Sequence, residues 1–492
     1  MKAFYKMIVA AVAAGVFVNA YSKVILPSFY ADNMVLQQKA LMTVKGKAIP
    51  NSTVKFKASW DNKTILAKAD AQGEFTIKFR VPAASMKAYK LSFSDGNGEK
   101  VLTDVYSGEV WLCSGQSNME MPVKGWGMIN ENDREVADAA KYPMIRFLQV
   151  RMFANKNKPA DDTELWKTWE VCSPQNVEKF SALAYLFGKE LYDRLRVPIG
   201  LVQSAYGGAS AEAWMGLETL KTFPEMKGEL EKYGKYNFVN DTIQKYAKRA
   251  EQQIPTLLYN TMLYPLHVLP VKGVIWYQGC NNVGNSNYTQ IMNGLIKSWR
   301  NLWGYNFPFY YVQLAGFLKQ ETVQPESNWA ALRWSQWKTL ELPRTGMATA
   351  VDIGNEKDIH PKNKQEVARR LALLALNKTY GKKDLVCEAP APVKYSFSEG
   401  KAKLTFNNKI HVRNDSVACG FILCDANNKF VEGKAKLENP TTISITGAGL
   451  GKITAVRYDW ADYPIGNIYG DTNLPVLPFR TDEMPLVNIE KK

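Results

Sequence analysis

The chain of 492 residues has only three histidines, His267, His360 and His411. So few, so scattered, argue against a His-rich metal site. They also leave few candidates for any base chemistry that uses imidazole. No CxxC pair occurs, which argues against structural zinc. Only the N-terminus carries a long apolar run, which excludes a multi-span membrane protein. There is no compact basic run with interleaved aromatics, so a nucleic-acid reader is not expected. Internal repeats and low-complexity tracts are absent. Hydrophobic residues make up 46% and charged residues 22%, the balance of a soluble globular protein. The length suggests about three domains.

The N-terminus reads as a leader. Lys2 and Lys6 precede an apolar stretch from Met7 to Val18, and Val18-Asn19-Ala20 places compact residues at a cleavage site. Residues 1–20 are therefore expected to be a secretory signal peptide. The stretch is short for a membrane span, which needs about 20 residues. No cysteine lies near the cleavage point, so no lipoprotein anchor and no membrane attachment are expected after cleavage. The mature protein is expected in the periplasm or outside the cell. Without Lys2 and Lys6 the formal charge falls from +15 to +13. Such a charge can steer an acidic glycan, although a solvated Lys-rich surface is the simpler account. The six cysteines, Cys113, Cys172, Cys280, Cys387, Cys419 and Cys424, allow about 15 pairings, and sequence does not choose among them.

Three regions follow the leader. Residues 21–107 read as a β-sandwich-like domain. Thr53–Ala58 and Phe75–Phe79 alternate apolar and polar side chains, with turn signals such as Asp95-Gly96-Asn97-Gly98 between runs. Residues 108–385 read as α/β. Buried-type strands are expected at Val110–Cys113, Ile199–Val202, Val274–Tyr277 and Phe309–Val312. Leu183, Phe187, Leu191 and Leu195 mark one helix face, and Val367, Leu371, Leu374, Ala375 and Lys378 another. This alternation predicts a parallel sheet covered by helices. Residues 216–256 read as a charged helical excursion. Residues 386–492 return to β, after a Pro390-Ala391-Pro392 linker.

Sites in open α/β sheets form at the carboxyl ends of strands, and four stretches near such ends carry unusual polar residues. Ser114-Gly115-Gln116-Ser117-Asn118-Met119 places Ser117 on a tight turn, as a nucleophile would be placed. Met119 replaces the second glycine of a G-x-S-x-G elbow, and a lone serine in a turn is more often a turn former or helix cap. Tyr206-Gly207-Gly208-Ala209-Ser210 offers backbone N–H groups that a ligand can approach closely. It also reads as a strand-to-helix turn capped by Ser210. Gln278-Gly279-Cys280-Asn281-Asn282 offers neutral donors for an oxyanion. In Asp358-Ile359-His360-Pro361, an extended backbone brings residues i and i+2 to one side. The carboxylate then holds Nδ1–H and leaves Nε2 free as a base. His267 sits in an apolar run typical of a packed histidine, and His411 lies in the C-terminal β region. Together the four pieces describe a Ser-His-Asp hydrolase.

The stretch Gly108–Met119 resembles the nucleophile block of the sialate O-acetylesterase family of SGNH hydrolases. Gly207-Gly208 with Glu212-Ala213-Trp214, then Val274–Gly279, then Asp358–Pro361 resemble its later blocks, in order, across nearly the whole mature chain. The resemblance implies a three-layer α/β/α hydrolase domain flanked by β-rich segments. It implies Ser117 as nucleophile, His360 as base and acid, and Asp358 as its orienting partner. The N–H groups of Ser117 and Gly208, with the Asn282 side chain, would form the oxyanion hole. Gln116, Gln278 and Trp214 are candidates to touch substrate. The chain departs from the family where Cys280-Asn281-Asn282 stands in place of Glu-Ser-Asn or Glu-Ala-Asn.

The implied reaction removes O-acetyl groups from a glycan, with O-acetylated sialic acid the family's named substrate. It needs no metal or organic cofactor. Acetylated xylan, pectin or another polysaccharide is an alternative substrate. A secreted, non-catalytic carbohydrate-binding protein is a further alternative, against which the intact Ser117, Asp358 and His360 argue. Trp126, Trp214 and Trp276 lie near the motifs and could stack on a sugar ring, but tryptophan is more often core. The sequence leaves the oligomeric state open.

Overall fold

The computed structural model describes residues 24–154, 158–233, 250–415 and 417–486. The expected leader lies outside the described residues. The N-terminal region holds β1 (Val35–Gln37), β2 (Leu41–Lys47), β3 (Thr53–Ala58), β4 (Thr64–Lys68), β5 (Glu74–Arg80) and β6 (Ser85–Ser94). In β3 and β5 every second side chain is buried, as a strand with one solvated face requires. β3 pairs with β4 and β6, while β5 pairs with β2. Phe56 of β3 stacks on Phe79 of β5 at 4.4 Å, joining the two sheets.

Strand β7 (Glu99–Gly115) is unusually long. Its first half pairs antiparallel with β6 and its second half enters the central sheet. One strand therefore runs straight through the expected border between residues 107 and 108. Its sequence changes character there, from alternating exposure to burial on both faces, which is the signature of a strand covered by helices.

The central sheet continues with β8 (Ile145–Val150), β9 (Leu165–Val171), β10 (Ile199–Ala205), β11 (Gly273–Tyr277), β12 (Phe309–Gln313) and β13 (Thr345–Thr349). Its order is β13-β12-β11-β7-β10-β8-β9, parallel throughout except for β9 at the edge. The strands at 145–150, 165–171 and 345–349 were not expected. Thr-Gly-Met-Ala-Thr of β13 has no branched apolar run, so its pattern carries little strand signal. Helices α1 (Ala182–Leu195) and α4 (Lys364–Leu374) cover one face, and α2 (Tyr288–Trp303) and α3 (Asn328–Lys338) the other. Trp111 meets Phe187 of α1 on one face, whereas Trp276 meets Trp299 of α2 on the opposite one. The result is the expected three-layer α/β/α arrangement.

The described part of the charged excursion holds short helical turns at Leu217–Leu220, Pro224–Met226, Lys227–Tyr233 and Glu251–Gln253. The C-terminal region forms two four-stranded antiparallel sheets around its own core of Leu404, Phe421, Leu423, Ile443, Ile445 and Tyr458. It buttresses the loops that follow β12 and β13. Asp462 accepts from Ser327 Oγ (2.6 Å) and Gln324 Nε2 (2.8 Å), and Tyr469 donates to Asp352 (3.1 Å). All six cysteines are free thiols. Among the described residues no helix is long and apolar enough to cross a membrane.

Candidate active site

β7 lies between β10 and β11 at the centre of the sheet, so the loops after these three strands share one edge. The first loop is fixed by a glycine. Gly115 has φ +140°, and a Cβ there would lie 2.2 Å from the Tyr277 carbonyl oxygen. No other residue fits that turn without displacing backbone. The Gln116 N–H donates to the same carbonyl (2.9 Å). A single helical turn, Ser117–Glu120, follows and presents Ser117 at its start.

The loop between β13 and α4 brings His360 to this serine. His360 Nε2 lies 2.9 Å from Ser117 Oγ, although 243 positions separate them. His360 Nδ1 lies 3.3 Å from Asp358 Oδ1. The same carboxylate oxygen accepts the His360 backbone N–H at 2.9 Å. The expected extended segment is thus a compact Asx-type turn, because the aspartate side chain captures the N–H two residues on. Burial lowers the His360 pKa below its usual value. The nearby Lys364 cation acts in the same direction, and Asp358 opposes them. The other histidines have unrelated partners: His267 Nδ1 lies 2.5 Å from the Tyr264 carbonyl oxygen, and His411 lies beside Tyr469.

The loop after β10 leans on the serine. A Cβ at Gly207 would sit 3.5 Å from Ser117 Cβ, and Gly208 adopts φ +70°. The Gly207 N–H donates to Glu120 Oε2 at 2.6 Å, and burial raises the pKa of that carboxyl. The N–H groups of Ser117 and Gly208 have no hydrogen-bond partner among the described residues. Ser210 does not cap a helix; its hydroxyl donates to the Gln253 carbonyl at 3.3 Å.

The loop after β11 behaves differently. Asn282 Oδ1 accepts from Gln278 Nε2 (2.6 Å) and the Ala211 N–H (3.0 Å). Its Nδ2 donates to both oxygens of Glu212, at 2.9 and 3.1 Å. The donor expected for an oxyanion is therefore engaged by a buried carboxylate. Gln278 is fully buried and also bonds the Ala209 carbonyl and Tyr288. Gln116 is buried, with its Oε1 accepting the Gly279 N–H at 3.0 Å. Trp214, like Trp276, is fully buried among core aromatics. Of the three residues expected to touch substrate, Gln278 has its amide atoms engaged by Ala209, Asn282 and Tyr288, whereas the Gln116 carboxamide oxygen is held by the Gly279 N–H and Trp214 is buried in the core. Trp126 is the exception among the three tryptophans. It is 45% exposed and stands edge-on to the His360 ring at 5.4 Å.

Asn118, Glu120 and Lys364 also belong to this site; Asn118 lies within the nucleophile block, whereas Glu120 and Lys364 carry no motif signal. Lys364 does carry one readable anomaly. A cation at the first position of a helix opposes the helix dipole, so it needs another reason to be there. Among the described residues no group of three His, Cys, Asp or Glu side chains is arranged to hold a metal.

A parallel α/β sheet carries a serine–histidine contact at its carboxyl edge, and the class is that of the carboxylic ester hydrolases. A family model described as "Carbohydrate esterase, sialic acid-specific acetylesterase" matches residues 107–377. The mouse sialate O-acetylesterase is 31% identical, over 88% of this chain and 89% of its own. The human one is 29% identical, over 89% and 87%. A solved carbohydrate acetylesterase from Xanthomonas citri is 36% identical, with TM-score 0.82, covering 94% of this chain and 100% of that one. The chain belongs to this sialic acid-specific acetylesterase family, and it is a carboxylic ester hydrolase that deacetylates carbohydrate.

Proposed function

We propose that this protein releases acetate from O-acetylated sialic acid with Ser117 as nucleophile, His360 as base and Asp358 as the carboxylate that orients it. The observation that carries the reading is the 2.9 Å contact between His360 Nε2 and Ser117 Oγ. Ser117 Oγ attacks the acetyl carbonyl while His360 takes its proton. The unpartnered N–H groups of Ser117 and Gly208 point to the oxyanion hole; each such donor is worth about 3 kcal/mol of barrier. The ester C–O bond then breaks, and the sugar oxygen leaves with the proton from His360. Water, deprotonated by the same histidine, attacks the acetyl-serine and frees acetate. The lowered His360 pKa suits this role, since the imidazole is neutral at neutral pH.

The family description and the names of the mouse and human relatives support sialate as the sugar. The Xanthomonas citri protein is described more broadly, as a carbohydrate acetylesterase, which favours testing plant polysaccharides beside sialosides. Acetate release from acetylated sialosides, xylan and pectin separates the two. Faster release from xylan or pectin than from any sialoside overturns the choice of sugar. We further propose export through the leader at residues 1–20, and a division into regions 21–107, 108–385 and 386–492, with β7 shared between the first two.

A further inference from the structure

We propose that Lys364 is a positioning residue that straps the Ser117 turn to the His360 loop and holds His360 in its neutral form. The inference rests on the Ser117–His360 reading above. The strap is visible in the hydrogen bonds. Lys364 Nζ donates to Asn118 Oδ1 (2.6 Å), next to Ser117, and to the Pro361 carbonyl (2.7 Å), next to His360. Asn118 returns the link by donating its Nδ2 to the Ile359 carbonyl at 3.0 Å. Both neighbours of His360 are therefore tied to the neighbour of Ser117. These ties fix a 2.9 Å contact between residues that no secondary-structure element joins.

The charge is as unusual as the geometry. Lys364 is fully buried at the start of α4. It makes no ion pair among the described residues; the acceptors at its Nζ are a carboxamide and a carbonyl. A buried ammonium ordinarily has a carboxylate partner. The titratable groups facing it are Cys280 from the loop after β11, Asp358 from its own loop, and Tyr277, whose ring lies 5.6 Å from Nζ. Burial lowers the Lys364 pKa to about 7, against weak support from Cys280 and Asp358. When charged, Lys364 disfavours a second positive charge on His360. A strap made by a neutral side chain would hold the loops but not do this.

With only three histidines in the chain, the His360 imidazole can be followed directly by NMR titration of the full-length enzyme. The wild-type midpoint is expected below about 6.5, the unperturbed value. Lys364→Gln keeps a donor and removes the charge. Its His360 midpoint and the acid limb of kcat/KM should both move to higher pH. Asn118→Ala keeps the charge and cuts the strap. It should lower kcat on the order of 100-fold, as a small misplacement of reacting groups does, with KM little changed. If Lys364→Gln fails to fold, Lys364→Met removes the same charge and takes its place in the titration, and Asn118→Ala still decides the strap. An unmoved His360 midpoint in folded Lys364→Gln overturns the charge effect, and kcat within threefold of wild type in Asn118→Ala overturns the strap. Ser117→Ala and His360→Ala serve as controls. Activity that survives those two sinks the catalytic reading itself, whereas silence at Lys364 and Asn118 alone sinks only this inference.

Discussion

The loops after β10 and β11 lie on either side of β7, and both carry glycines and small polar residues. They have opposite fates. The loop after β10 packs Gly207 against Ser117 and leaves the Gly208 N–H without a partner among the described residues. The loop after β11 closes Gln278 and Asn282 into a buried network with Glu212, Ala209 and Tyr288. The difference follows from satisfaction of buried polar groups. A buried carboxylate such as Glu212 demands donors, and the Asn282 amide supplies them. Gly208 carries no side chain to fill the space, so its N–H stays available. An amide at a strand end is therefore not by itself a site residue; what else is buried near it decides.

The largest effect should come from the reactive side of this comparison. Ser117→Ala should lower kcat for acetate release by about 10³-fold or more, with an unchanged thermal midpoint. Retained turnover in the folded variant would break the assignment. Asn282→Ala probes the scaffold side. It strips a buried carboxylate of its two amide contacts and should destabilise the fold by about 3 kcal/mol, seen as a fall in denaturant midpoint. If instead stability holds and only kcat falls, Asn282 is an oxyanion donor and the contrast between the loops fails. Asp358→Asn should lower kcat about 100-fold, less than a fully buried triad aspartate would, because Asp358 is 42% exposed and lies 3.3 Å from Nδ1.

Smaller effects sharpen the picture. The His360 pKa is lowered, and a base must be neutral to act. kcat/KM should therefore hold as pH falls to the usual histidine range and drop only below about 6.5. A drop that begins well above that value would contradict the burial of His360. Trp126→Ala should raise KM for an acetylated glycan a few-fold, roughly the loss of one partly exposed ring contact. Turnover of 4-nitrophenyl acetate, which has no sugar, should change less.

Much of the site was legible because its signals are local. Gly115 must be glycine where the turn grazes the Tyr277 carbonyl. Gly207-Gly208 marks a close backbone approach. Asp358 and His360 are two residues apart and do meet, though through a turn rather than a strand. What was not legible depends on neighbours far away in sequence. Nothing in Gln278 or Trp214 says that both face inward. Glu120 looks like an ordinary helix residue until the Gly207 N–H arrives from 87 positions away. The strand β13 escaped notice because its burial comes from α4 and β12, not from its own residues.

By itself, the sequence determined the α/β class, the order of the motifs and a short list of catalytic candidates, because periodicity and turn chemistry act over a few residues. The tertiary structure decided which candidates work together. Sheet order puts β7 between β10 and β11, and the loop after β13 returns across β12 and β11 to set His360 on Ser117. Such contacts are fixed by strand pairing and by straps such as the one from Lys364 to Asn118, 246 positions away in the chain. No local pattern encodes a distance of that kind.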